Sequence, residues 1–332
     1  MWIRITAFVF LSLAAIAPAL ANDSMGYLAA GGLVLTPTTD VEMRAEDLYV
    51  SEKEIRVRYR FFNNSSTDIT TLVAFPMPDL PPLQDNEYAL PLDDPVNFMA
   101  FETTVDGKPV TNGFEQHAVL NGTDHTALLK SLNIPLSPAY EGTQKALKAL
   151  NSEQRAKLAA AGLIHEEEGD FGKGWVKYPV PNWTLKTVFH WEQVFPGKKE
   201  LIVEHRYKPF VGGNVGFLIG TDGKFNKEIL AEYKKRYCTD SDFLAAVRRT
   251  KEADGPNKLI GETQLEYVLV TGANWAGPIK DFRLVVDKGK PDNLVSFCAT
   301  GVKKIAPTQF EVRYKDYTPD RNLQVLIMHR PD

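Results

Sequence analysis

The chain has 332 residues, of which 44% are hydrophobic and 24% are charged, and its formal net charge is −4 at pH 7. This composition is typical of a folded globular protein, and the length is sufficient for two domains. The lack of a basic excess argues against nucleic acid and against a generic anionic membrane as partners, because both attract clustered positive charge.

The first 21 residues have the pattern of a cleaved signal peptide. Arg4 precedes an apolar run, and Ala19 and Ala21 supply the small residues that a signal peptidase requires before its cleavage site. A membrane anchor is the alternative, but the run is shorter than the roughly 20 residues that span a bilayer. We therefore predict cleavage after Ala21, a periplasmic mature chain that begins near Asn22, and no transmembrane segment in that mature chain.

Residues 54–62, EIRVRYRFF, alternate between charged and apolar side chains. Such alternation predicts a strand with one buried face. The following NNSSTD is rich in turn residues, and ITTLVAF predicts a returning strand. Pro76 and Pro78 end this strand, because proline lacks the N–H that a ladder requires.

The charged face of the first of these strands carries Arg56, Arg58 and Arg60. This stripe is a candidate contact for an anionic group of the envelope. The preferred interpretation is a solvated face whose arginines pair with acids on a neighbouring strand, such as Asp47.

A phase change marks VEMRAEDLYVS, residues 41–51. Apolar side chains occupy odd positions at the start of this segment and even positions at its end. A β-bulge shifts the phase of a strand in this way. We predict a bulge or a strand break within Ala45 to Asp47, which brings Asp47 near Arg58.

Two later turn signals, Asp106-Gly107 and Pro196-Gly197, each predict a hairpin between antiparallel strands. Together the strands predict a mainly β fold, with an antiparallel, immunoglobulin-like β-sandwich over residues 22–222.

Helical periodicity interrupts the strands twice. An alanine- and lysine-rich stretch predicts a helical insertion at about residues 126–170, in which one helix begins at a Ser152 cap and closes at Gly162. Residues 223–256 predict connecting helices, and residues 257–332 return to strands that we assign to a second, smaller β domain.

Cys238 and Cys298 are the two cysteines of the chain. In an exported protein such a pair predicts a disulfide. Two separately buried thiols are the alternative.

Four motifs in order carry a resemblance to a known family: GGLVLT, AEDLYVS, NNSSTDITTLVAFPMPD and TGANWAGPIKDFRLVVDKG. Over nearly the whole mature chain they resemble the bacterial envelope family known as domain of unknown function 4424. The resemblance implies an envelope location and a fold but no chemistry, because the family has no established activity. The N-terminal half, through NNSSTDITTLVAFPMP and EQVFPGKKELIVEHRYKP, is also similar to the sandwich domain that precedes von Willebrand A domains in inter-alpha-trypsin inhibitors.

Metal-binding and catalytic motifs receive little support. HEEEG at residues 165–169 combines metal-ligand types, but a zincin helix requires a second histidine where Gly169 stands, and an acidic loop is preferred. His190 and His205 occupy opposite parities on successive predicted strands, so their imidazoles should point apart. With no nucleophile elbow or phosphate loop in the sequence, we predict neither catalytic residues nor a metal or other cofactor.

Aromatic side chains supply the remaining binding candidates. Trp175, Tyr178 and Trp183 could form a platform for a sugar ring or a peptide, although core packing is the preferred interpretation. Trp275 lies between two predicted strands, and we expect it to plug the interface between the two β domains. An exposed contact residue is the alternative at that position.

These features favour a non-enzymatic periplasmic module that binds, or helps to assemble, another envelope protein through sandwich loops and the helical insertion. The alternative function is an envelope protein that recognises or processes a glycan with the Trp175 to Trp183 segment.

Overall fold

The computed structural model describes residues 23–29, 32–83, 88–170, 172, 174–215, 218, 224–254 and 260–330. The predicted signal peptide and its cleavage site lie outside these residues. Within the described ranges the chain forms 21 strands and five α-helices, so the prediction of a mainly β fold with helical segments is confirmed.

Ten strands precede the first helix: β1 (Ser24–Ala29), β2 (Gly32–Thr36), β3 (Val41–Ser51), β4 (Ile55–Asn63), β5 (Ile69–Pro76), β6 (Tyr88–Ala89), β7 (Glu102–Val105), β8 (Lys108–Val110), β9 (Gly113–Leu120) and β10 (Thr123–Asp124). Three helices follow: α1 (Thr126–Ser131), α2 (Glu141–Lys148) and α3 (Ser152–Ala160). The next strands are β11 (Ile164–Asp170), β12 (Trp175–Pro181), β13 (Thr184–Phe195), β14 (Glu200–Tyr207) and β15 (Val211–Val215). The last elements are α4 (Lys227–Tyr237), α5 (Ser241–Asp254), β16 (Gly261–Tyr267), β17 (Ile279–Asp287), β18 (Leu294–Phe297), β19 (Lys303–Lys304), β20 (Gln309–Tyr317) and β21 (Leu323–His329).

Two large sheets face each other. One has six strands in the order β10-β9-β13-β5-β1-β2, and the other has eight in the order β19-β20-β17-β3-β4-β14-β7-β8. Among the pairings of the described strands, β3 with β17 is parallel. The inner faces of the two sheets meet in one core. There the ring of Phe61 lies 5.7 Å from that of Phe195, and the ring of Phe75 lies 4.7 Å from that of His205. This arrangement is sandwich-like, as predicted.

Two connections that were predicted as hairpin turns are instead crossings between the sheets. β4 and β14 belong to the eight-stranded sheet, whereas β5 and β13 belong to the six-stranded one. The two crossings pack against each other: Nδ2 of Asn63 donates to the carbonyl of Phe195 at 2.8 Å, and the N–H of Gly197 donates to Asp68 at 2.9 Å. A Cβ at position 197 would come within 2.6 Å of the carbonyl oxygen of Ser66, so glycine is required there.

The hairpin at Asp106-Gly107 is confirmed. β7 pairs with β8, and both turn residues have positive φ angles of 47° and 74°. Positive φ at both central positions is the geometry that matches the twist of the paired strands.

The phase change in β3 is a β-bulge, but it lies at Arg44, one residue before the predicted interval. The register of β3 against β4 shifts there, and the strand is otherwise unbroken. After the bulge the even positions face the core, so the side chain of Glu46 is buried. Asp47 faces Arg58 across the ladder, as predicted.

The helical insertion contains α1, α2 and α3. Asn151, and not Ser152, caps α3: its side chain accepts the N–H of Gln154, and the Gln154 side chain returns a bond to the backbone of Asn151. The helix ends at Ala160, before Gly162, whose φ is 72°.

The end of the predicted insertion is a strand. HEEEG lies in β11, which pairs with β12, so its assignment to a loop was wrong. His165 Nε2 lies 2.9 Å from Oε1 of Glu167 on the same face. In the ranges that the structure describes, no group of three or more histidine, cysteine or acidic side chains is close enough to hold a metal ion.

The C-terminal strands do not form a sheet of their own. β16, β18 and β21 share a five-stranded sheet with two earlier strands in the order β18-β21-β16-β15-β6, while β17 and β20 extend the eight-stranded sheet. Both sheets therefore bridge the domain boundary that was expected near residue 257.

Helices α4 and α5 enclose a second, smaller core around Tyr233 and Tyr237. The predicted disulfide between Cys238 and Cys298 is confirmed, with Cα atoms 5.0 Å apart. None of the helices in the described ranges has both the length and the apolar composition needed to cross a membrane.

Candidate functional site

The structure does not bring the three aromatic candidates onto one surface. Trp175 is 74% exposed at the start of β12, and the hydroxyl of Tyr178 donates to Glu167 at 3.1 Å. Trp183 is fully buried, and its indole N–H donates to the carbonyl of Leu136 at 2.7 Å. Trp183 therefore packs the core beneath the helical insertion, and Trp175 is the exposed indole of this segment.

The arginine stripe lies on the outer face of β4. Each guanidinium has an acidic neighbour: Arg56 pairs with Glu54 at 2.9 Å, Arg58 with Glu204 at 3.2 Å and Arg60 with Glu200 at 3.7 Å. All six side chains remain about one third to one half exposed or more, so each pair contributes about 1 kcal/mol or less. An anion at this face would have to displace these acids.

Trp275 is buried, with only 3% of its surface exposed. Its indole N–H donates to the carbonyl of Asp23 at 2.7 Å, and its ring lies 4.3 Å from that of Phe61 and 5.9 Å from that of Phe195. It thus joins the N-terminal segment to both sheets of the sandwich.

A buried polar chain lies close to Trp275. Nε2 of His205 is 3.0 Å from Oδ1 of Asp23, and Nδ1 is 3.0 Å from the hydroxyl of Thr103. Burial raises the pKa of Asp23, although the neighbouring His205 opposes the rise. This hydroxyl, imidazole and carboxylate follow the order of a nucleophilic triad, but all three residues are buried, with at most 2% of their surface exposed.

The parity argument for the two histidines holds. His205 faces the core, and His190 lies on the opposite face of its sheet, where its ring covers Gly113. A Cβ at position 113 would come within 2.5 Å of this ring, so the ring would have to move to admit a larger residue there.

A groove runs along the open edge of β9. β10 pairs only with Val119 and Leu120 of that strand, so no described strand flanks residues 113–118 on the same side. The backbone of Ala118 is satisfied instead by α1, because its N–H donates to the Thr126 hydroxyl at 2.9 Å. The N–H and C=O of alternate strand residues point to the same side. Those of Phe114 and Gln116 therefore point into the groove.

The groove has a volume of about 1060 Å³. One wall is β9, and the other is formed by α1 and the following loop, with Pro95 and Val96 at one end and Leu136 and Tyr140 along the side. Phe114 opens into it with 51% of its surface exposed. The site thus combines free backbone hydrogen-bonding groups with an accessible apolar ring.

His117 gives the groove a charged centre. It lies between Glu115, with which it makes a short contact, and Asp124, whose Oδ2 is 2.6 Å from Nδ1. Glu115 in turn accepts the N–H of Leu33 at 2.9 Å. Burial alone would lower the pKa of His117, but the hydrogen bonds and charges of the two acids outweigh burial and raise it.

None of the groove residues was singled out from the sequence, although one signal was present. Asn121-Gly122 is a strong hairpin signal, and both residues have positive φ, 50° and 78°. The hairpin between β9 and β10 that it forms brings Asp124 back toward His117. The open edge of β9 has no comparable signal, since it depends on which distant strands pair.

Residues 21–326 match the family described as Domain of unknown function (DUF4424). The chain belongs to the DUF4424 family. No curated protein significantly matches this DUF4424 chain. A solved structure from Legionella pneumophila, titled as that of a putative nutrient binding protein, is similar with a TM-score of 0.44 and 14% identity, over 93% of this chain and 72% of that one. That likeness is too remote to support an argument about function. The periplasmic location and the similarity to inter-alpha-trypsin inhibitors stay predictions.

Proposed function

We propose that the protein is a periplasmic binding module that receives an extended segment of another envelope protein along the open edge of β9. The observation that carries this proposal is the edge of β9 at residues 113–117, which lies inside a groove and which no described strand flanks. An extended peptide matches such an edge, because its own N–H and C=O groups supply the missing partners. A small ligand has fewer hydrogen-bonding groups and would bond to fewer of the backbone N–H and C=O groups along this edge.

The surroundings of the edge support the same occupant. Sheet edges are commonly covered or charged in ways that prevent pairing with other chains. Here Phe114 and Gln116 line an open groove of about 1060 Å³, whose other wall is formed by α1 and its following loop. The exposed ring of Phe114 offers an apolar contact for alternate side chains of the bound segment.

The location of the groove agrees with the predicted use of the helical insertion. One of its walls belongs to α1 and the loop before α2. The glycan alternative has less support, because Trp183 is buried and the Trp175 to Trp183 segment does not present a shared aromatic surface.

Selection of peptides provides the test. Random heptapeptides displayed on phage are selected on immobilised mature protein, and the selected peptides are synthesised and titrated. Phe114→Pro and Phe114→Ala lose the same ring, but only proline removes the N–H that faces the groove. We expect at least ten-fold weaker binding to Phe114→Pro than to Phe114→Ala.

The control is Ile305→Ala, since Ile305 is exposed to a similar extent, 45%, and lies outside the groove. It should bind the peptides like the unaltered protein. If Phe114→Pro, Phe114→Ala and Ile305→Ala all bind the peptides with the same affinity, and their melting temperatures are unchanged, the proposal is contradicted.

A further inference from the structure

A second cavity of about 660 Å³ continues from the end of the groove. It lies between the β7–β8 hairpin, the segment 94–97 and the start of β9, and it shares Val96 and Phe114 with the groove. A segment lying along β9 would therefore pass its mouth, and one side chain of that segment would be placed to enter.

The floor of the cavity is aromatic. The rings of Phe101 and Phe189 stack at 4.6 Å with an angle of 15° between their planes, and both are at most 5% exposed. Phe114 adds a third ring at the mouth, with half of its surface accessible. Faces of aromatic rings attract cations and accommodate the hydrocarbon stems of long side chains.

The rim supplies anionic and neutral acceptors. Asp94 and Glu102 line the cavity with carboxylates, and no lysine, arginine or histidine is among the described residues that line it. Oδ1 of Asp94 accepts the N–H groups of Val96 and Asn97, both at 2.7 Å, which fixes the carboxylate in place. This leaves Oδ2 of Asp94 without a bond among the described groups.

Two further acceptors belong to the rim. Oδ1 of Asn112 is buried and has no hydrogen-bond donor among the described groups. Glu102 accepts Nη2 of Arg206 at 2.8 Å from outside the cavity, and the same guanidinium lies 3.9 Å from Glu54, so two carboxylates share one cation. A group that enters this cavity therefore meets more acceptors than donors and a net negative charge.

We propose that this cavity receives a basic side chain, arginine or lysine, of the bound segment. The cationic head group lies among Asp94, Glu102 and Asn112, and the stem lies against the phenylalanine rings. This inference rests on the proposed function, because the segment on β9 brings the side chain to the cavity. Beyond that function, the inference states that the partner segment carries a positive charge at the position opposite the start of β9.

The test uses a probe that needs no strand pairing. N-acetyl-arginine amide is titrated into isotope-labelled mature protein, and amide chemical shifts are followed. We expect saturable shifts that centre on Asn112 and Phe114. N-acetyl-citrulline amide has nearly the same shape without the charge, and we expect it to bind at least ten-fold more weakly.

Variants of two adjacent acids provide the matched control. Asp94→Asn keeps an oxygen to accept the two N–H groups but loses the charge, and it should abolish the preference for arginine over citrulline. Asp93→Asn loses the same charge at an exposed position that does not line the cavity, and it should leave the preference unchanged.

Equal affinities for the two amides, shifts centred elsewhere, or equal effects of the two substitutions would overturn the inference. Selected peptides that lack basic residues but still depend on the Phe114 N–H would also overturn it, while leaving the proposed function intact. If the amide binds as expected but no peptide depends on that N–H, strand pairing fails and the cavity is a cation site by itself.

Discussion

Nε2 of His205 lies 3.0 Å from Oδ1 of Asp23, in the centre of the sandwich and with both side chains buried. Asp23 comes two residues after the predicted cleavage point at Ala21. The first residues that the structure describes are thus held in the core, and their contacts contribute to the stability of the whole sandwich.

We expect Asp23→Ala to lower the free energy of unfolding by about 3 kcal/mol or more, because it leaves a buried imidazole without its acidic partner. The urea midpoint measures this loss. Asp23→Asn keeps an oxygen near His205 and should lose less. An unchanged urea midpoint in Asp23→Ala would show that the contact with His205 contributes little.

Trp275→Ala should lower the free energy of unfolding by about 3 to 5 kcal/mol, as large-to-small changes in a core do. Trp175→Ala is the matched control, and its free energy of unfolding should change by no more than about 0.5 kcal/mol, because this indole is 74% exposed. An unchanged midpoint for Trp275→Ala together with lost peptide binding would make Trp275 a contact residue and not a plug.

Stability should fall as pH rises toward neutrality because of Glu262. Burial raises the pKa of this carboxyl to about 7, against an opposing hydrogen bond from Tyr233, whereas the unfolded chain has the ordinary value of 4.5. A raised folded-state pKa gives a stabilising contribution that is complete below about pH 4.5 and is lost as pH rises through about 7. The total change is roughly 2 to 3 kcal/mol.

Urea midpoints from pH 4.5 to 8 measure this dependence. Glu262→Gln should flatten the curve, and Glu252→Gln, which alters an exposed acid of α5, should leave its slope unchanged. The same slope in all three proteins would assign the pH dependence to other groups.

Loss of the disulfide should also destabilise the protein. Cys238 and Cys298 close a loop with a sequence separation of 60 residues, and the chain-entropy estimate for such a loop is about 4 kcal/mol. The double change to serine should therefore lower the melting temperature, and a reductant should then have no further effect. A melting temperature that reductant does not change in the unaltered protein would contradict this expectation.

Side-chain facing and the local pairing of β7 with β8 were predictable from the sequence, whereas the sheet to which the chain passes after β4 and after β13 was not. The alternation around Tyr59 and Phe61 correctly gave the buried face of β4, and the phase change placed the bulge to within one residue. The turns after Asn63 and Phe195 carry the same residue types whether the chain pairs with its neighbour or crosses to the other sheet. Contacts between the two turns decide the outcome, and those contacts are distant in sequence.

The same reason separates the predictable and unpredictable parts of the site. Asn121-Gly122 could have located the hairpin that brings Asp124 to His117. The free edge beside Phe114 could not have been located from the sequence. It exists because no described strand pairs with residues 113–118 of β9 on the side opposite β13, and strand pairing depends on residues that are distant in the chain. Core packing was the preferred interpretation for the aromatic segment, and Trp183 is packed in this way, but its partner, the carbonyl of Leu136 in the loop after α1, has no signal in the sequence.

The parallel pairing of β3 with β17 also sets an order of events during synthesis. Asp47 and Arg283, which face each other in this pair, are 236 residues apart in the chain. Because the N-terminal part of a chain is synthesised first, one side of β3 has no strand partner until residues 279–287 have been made. Such an unpaired strand edge is prone to associate with other chains. Completion of the eight-stranded sheet is therefore a late step, governed by closure of a very long loop.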